Sequence, residues 1–133
     1  MRRFVLLAAC TALAGCASAP PVPCRAGEQP AASDLLYFGT ARPRGVVSAQ
    51  EWQQFLERSV TPRFPQGLSV WPAAGQWRGA DGQVVREGSH VLNLVHPDDE
   101  ASEKAVQEIV SAYKAQFEQE AVLRVRSRAC SSL

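Results

Sequence analysis

At 133 residues, 46% of them hydrophobic and 20% charged, the chain has room for one globular domain with a real core. Its 14 basic and 13 acidic residues give a net charge of +1; without Arg2 and Arg3 the count is 12 against 13, or −1. That balance lacks the basic footprint of nucleic-acid binding, so no nucleic-acid partner is expected.

The N-terminus is laid out as an address. Met1-Arg2-Arg3 is a charged opening, and residues 4–13 are an apolar run too short to span a bilayer as a permanent helix. Leu13-Ala14-Gly15-Cys16 resembles the lipobox of bacterial lipoproteins. The resemblance implies that residues 1–15 are a signal peptide cut before Cys16. That cysteine would then carry fatty-acyl chains such as palmitate on its sulfur and amino group, a stable anchor when two or more are present. A plain secretory signal cut near Ala17-Ser18-Ala19 is the alternative. Ala17, where an aspartate would retain the protein at the inner membrane, favours an outer-membrane anchor with the domain facing the periplasm. Residues 16–33 are then the lipidated cysteine, a Pro/Ala tether and a loop, and residues 34–130 the single domain.

Leu35-Leu36-Tyr37-Phe38-Gly39-Thr40 predicts a first strand, closed by the turn-rich Arg42-Pro43-Arg44-Gly45. Ser48-Ala49-Gln50-Glu51 fits a capping box, and Trp52, Phe55, Leu56 and Val60 follow at helical spacing. Pro62 forbids continuation. A second strand is expected over 68–71, bent at 72–75 and resumed at 76–78, and Asp81-Gly82 marks a hairpin to Val84-Val85-Arg86. Residues 89–96 read as a third strand. Asp98 and Asp99 suit the start of a helix whose apolar side holds Ala105, Val106, Ile109, Val110, Tyr113 and Phe117. Residues 121–127 alternate as a last strand, with Leu123 and Val125 expected toward the helices and Arg124 and Arg126 on the uncovered face.

The order β-α-β-β-α-β predicts an α+β, ferredoxin-like sandwich: a four-stranded antiparallel sheet with two helices on one face. In that topology the first and last strands pair, so Cys24 and Cys130 fall at one edge and are expected to form a disulfide in an oxidising compartment, two free thiols being the alternative.

Four stretches carry a family resemblance. They are Leu36-Tyr37-Phe38-Gly39, Val60-Thr61-Pro62-Arg63-Phe64-Pro65-Gln66-Gly67, Gly75-Gln76-Trp77-Arg78 and Gln119-Glu120-Ala121-Val122-Leu123-Arg124. In order and spacing they resemble domain of unknown function 3574, a family of small bacterial proteins, many secreted or lipidated. The resemblance supports fold and compartment; the family brings no assigned reaction.

Chemistry-bearing patterns are sparse. His90 and His96 lie six residues apart on one expected strand, roughly 20 Å, too far to share an ion, so no metal and no cofactor is expected. No nucleophile elbow or phosphate loop is present, and no catalytic residue is assigned. Candidate ligand-binding residues are Tyr37, Trp71, Trp77, Arg78 and Arg124, because arginine beside aromatics suits an anionic ligand or a cation–π stack. The plainer reading is that these arginines are solvated and the aromatics pack under the hairpin. The expectation is a lipid-anchored binding or structural module, with a homodimer or a periplasmic protein as candidate partner. The alternative is a small enzyme or anion binder on the open sheet face, using Tyr37, Arg78, His90 or Arg124.

Overall fold

The computed structural model describes residues 23–132; the expected signal peptide over 1–15, the expected lipidation site Cys16 and residues 17–22 of the expected tether lie outside the described residues. Strand β1 (Gln29–Gly39) begins well before the expected position 35. Pro30 pairs only with Cys130 of the last strand, and the other neighbour joins at Ala32 opposite His96. A proline with one partner strand removes no bond from the sheet interior, which is why a Pro/Ala stretch can be strand here. After β1, the turn at Pro43-Arg44 closes a short hairpin of β2 (Ala41–Arg42) and β3 (Gly45–Val46), and Gly45 takes φ 106° there.

Helix α1 (Ala49–Phe55) opens on the expected capping box: Ser48 Oγ accepts from the Glu51 N–H, and the Glu51 carboxylate accepts from the Ser48 N–H. It widens into one π turn over Leu56–Val60, where the Thr61 N–H reaches Leu56 O at 2.8 Å, and ends before Pro62. Strand β4 (Ser69–Arg78) runs through Pro72 without the expected break, because it is an edge strand. In the hairpin, Asp81 Oδ1 accepts from the Gln83 N–H at 2.9 Å and Gly82 has φ 83°. Strand β5 (Val84–His96) is likewise one piece of 13 residues. Asp99 caps α2 (Glu100–Phe117), accepting from the Ser102 N–H at 2.8 Å; the helix stops at Glu118, whose φ of 55° is left-handed. Strand β6 (Leu123–Ser131) closes the fold.

The sheet order is β4-β5-β1-β6, antiparallel throughout, and both helices pack on one face. This is the ferredoxin-like arrangement that the element order predicts. Register decides which side chains meet the helices. Asp34, Leu36 and Phe38 of β1 stand opposite residues of matching parity, Leu94, Leu92 and His90, in β5. With Val60, Val106, Ile109, Tyr113 and Phe117 the apolar members form the core. Phe38 sits at its centre, its ring centroid 4.6 Å from Tyr113 and 5.3 Å from Trp52. Beyond the core, Cys24 and Cys130 are joined by a disulfide with Cα atoms 5.6 Å apart, tying the chain ahead of β1 to β6.

Candidate functional site

Arg124 and Arg126 are not on the uncovered face. Arg124 pairs across β1 with Leu36, so it points to the helices, whereas Leu123 and Val125 face outward, 60% and 47% exposed. The reason is Asp34, fully buried on the helix side of β1. A buried carboxylate requires partners. Arg124 supplies a bidentate pair through Nε and Nη2, both at 2.8 Å, and His96 Nε2 lies 2.9 Å from Oδ2. The same guanidinium grips Glu103 of α2 at 2.7 and 2.8 Å, and Arg126 binds Glu103 and Asp98. Burial pushes the Asp34 carboxyl up, but hydrogen bonds and charge from Arg124 and His96 outweigh it and hold it below the usual carboxylate range. Hydrogen bonds from Arg124, then Gln107, hold Glu103 down at about 2. The Nδ1 of His96 lies 2.8 Å from Pro97 O, so both ring nitrogens are occupied. This network clamps β1, β6 and α2 together; it offers no free base.

The other expected residues separate in the same way. His90 stacks flat on Trp52 at 4.4 Å, on the helix side, and burial there pushes its imidazole below the usual range. Arg78 is spent on the hairpin, donating to Gly82 O at 3.2 Å. Trp71 does lie on the open face, opposite Val91, 43% exposed. Arg63 donates to Ser59 O and Glu108, stapling the end of the π turn to α2. Convergence of Tyr37, Arg78, His90 and Arg124 on one pocket is therefore excluded by register. Among the described residues, one trio of metal-ligating types lies close together, Cys24, Glu28 and Cys130, and its two sulfurs are already bonded to each other.

What does converge is a cleft of about 260 Å³ on the open face. Tyr37 and Gly39 come from β1, Gly75, Gln76 and Trp77 from β4, Glu87 and Ser89 from β5, and Gln119, Glu120, Ala121 and Leu123 from the α2–β6 corner. Three of the four family-like stretches thus meet there. Glu87 lies across Gly39, accepting from the Trp77 Nε1–H and the Ala41 N–H, each at 2.7 Å. A Cβ on Gly39 would come within 2.6 Å of the Glu87 carboxylate, so glycine is what lets it lie there. A Cβ on Gly75 would meet nothing within 4 Å: the strand leaves the cleft open at that point. From the helix side, the Tyr113 hydroxyl donates to Gly39 O at 2.8 Å, and Gln119 Nε2 donates to Ala41 O at 2.6 Å. Glu87 and Glu120 escape a reading that looks for arginines. Glu87 shares the parity of Val85 and Ser89 in β5, the signal that places it on the open face.

Fold and cleft define a ferredoxin-like α+β sandwich with a recess on its uncovered sheet. The chain belongs to the family described as protein of unknown function, DUF3574, whose pattern matches residues 33–133. No curated protein matches it. Among solved structures it is similar to a phage SAM lyase in complex with S-methyl-5'-thioadenosine, at 15% identity and TM-score 0.59, covering 86% of this chain and 97% of that one. It is also similar to CutA from Synechococcus elongatus, at 15% identity and TM-score 0.53, covering 80% of this chain and 81% of that one. At such identities the likeness shows the fold alone.

Proposed function

We propose that this protein is a lipid-anchored module of the outer membrane, facing the periplasm, that binds a small ligand in the open-face cleft. The observation that carries the binding reading is the cleft itself: a recess with aromatic walls, Tyr37 and Trp77, and a carboxylate held in place by two donors. Binding is favoured over catalysis because both imidazoles lie on the opposite side of the sheet from the cleft, His90 stacked on Trp52 and His96 bonded to Asp34 and Pro97 O. The lipobox-like Leu13-Ala14-Gly15-Cys16 supports the anchor, and the Cys24–Cys130 bridge fits an oxidising compartment. No helix among the described residues is long and apolar enough to cross a membrane.

Two experiments test this. Radiolabelled palmitate should enter the wild-type protein and not Cys16→Ser, and the variant should leave the membrane fraction; equal labelling of both would remove the anchor. A small-molecule extract of the cell envelope should raise the melting temperature of the wild type and not of Gly75→Val, which puts a branched side chain into open space at the β4 wall of the recess. A second reading, a protein partner or a second copy on the open face, draws on Trp71, Val95 and Val125, exposed beyond the cleft. Val125→Asp would then turn a sedimenting dimer into a monomer.

A further inference from the structure

We infer that the ligand of the open-face cleft is a small organic cation, an ammonium group on an apolar or aromatic body. This rests on the cleft being a binding site, and it follows from the sign of the charges around it. The charged side chains lining the cleft are both carboxylates, Glu87 at its base and Glu120 at its rim. The arginines nearby in sequence are directed elsewhere: Arg78 is bonded to the hairpin, Arg86 alternates to the other face of β5, and Arg124 is locked to Asp34 and Glu103. An anion would therefore enter against two like charges with no cation to receive it.

Glu87 is already oriented. Its two donors, the Trp77 indole and the Ala41 amide, fix the carboxylate over Gly39, and a carboxylate has further lone pairs to accept from an ammonium. Tyr37 and Trp77 line the same recess, and aromatic rings attract a cation and shed water from an apolar body. Hydrogen bonding, Coulomb attraction and the ring quadrupoles thus all favour the same ligand class. The size also fits, since about 260 Å³ has room for a single-ring amine.

The test uses three probes with one body: phenethylammonium, 2-phenylethanol and phenylacetate, titrated into the full chain in non-ionic detergent and read by tryptophan fluorescence. The expected order is cation, then alcohol, then anion, the cation ahead of the alcohol by about tenfold. Glu87→Gln should erase that tenfold gap, read as the ratio of cation to alcohol affinity within the variant. Leu123→Lys, at an exposed rim position, should narrow the lead of the cation over the anion. Gly75→Val should abolish all three. If the three probes bind alike and all are lost in Gly75→Val, the cleft stands and the cation is wrong. If none binds up to millimolar concentration, or Gly75→Val changes nothing, the cleft reading falls and the cation with it.

Discussion

Replacing Arg124 by Met leaves a carboxylate with no exposed surface facing one imidazole instead of an imidazole and a guanidinium. Removing one partner of a buried ion pair costs about 3–5 kcal/mol, most of it from the stranded charge. Glu103 loses its main support too. Its fall from 4.5 to about 2 corresponds to about 3 kcal/mol if fully realised, but the side chain is 27% exposed, and screening leaves about 1–2. The losses overlap, so about 4 kcal/mol in all is expected, a urea midpoint lower by roughly 2 M. Both carboxyls have depressed folded-state values, so their stabilisation is present above the unfolded values, 3.8 and 4.5, and is lost as pH falls through the folded ones. The cost of Arg124→Met should therefore be full at pH 7 and shrink below about pH 4.5 as the carboxyls take up protons. Urea unfolding of both proteins at pH 7, 5 and 3 measures it. A cost under about 1 kcal/mol at pH 7, or one independent of pH, would refute the clamp.

Other positions give sharper single effects. Replacing both Cys24 and Cys130 by Ala opens a loop of 106 residues and should cost about 4–5 kcal/mol, seen as a lower melting temperature matched by the reduced wild type. Glu118→Gly should stabilise by about 1 kcal/mol by relieving the left-handed backbone at the end of α2; the exposed pair with Arg44, at 3.5 Å, offsets little of that. Tyr113→Phe removes the donor to Gly39 O and should cost about 1–2 kcal/mol in chemical denaturation. Burial, then the charge of Glu87, pushes the Tyr113 hydroxyl far above the usual tyrosine range. Its ultraviolet titration should therefore appear only on unfolding.

Much of the fold is legible in the sequence because local and global signals agree. Ser48 with Glu51, Asp81-Gly82 and the Val106–Ile109–Tyr113–Phe117 spacing each fix an element, and the order of elements then fixes the topology. The cleft was half legible: Tyr37 and Trp77 are in it, whereas Arg78 and Arg124 are not. The β6 parity is misread because Leu123 and Val125 are more apolar than their neighbours, and apolar residues are assigned inward. The inward side at this edge is instead lined by carboxylates, Asp34 and Glu103. A signal existed. Asp34 shares the parity of Leu36 and Phe38, so a charge on the core face of β1 demanded a cation from the adjacent strand. The early start of β1 and the continuity of β4 were hidden by Pro30 and Pro72. Edge pairing tolerates both, and only the sheet order shows which strands are edges.

The most direct test of a ligand in the open-face cleft is native mass spectrometry of protein isolated from the cell envelope without refolding. Wild type and Gly75→Val would be compared side by side. The structure predicts a small-molecule mass retained on the wild type and absent from the variant, with both chains two hydrogens lighter than the reduced sequence through the Cys24–Cys130 bridge. Identical spectra for the two proteins would contradict a ligand in the cleft.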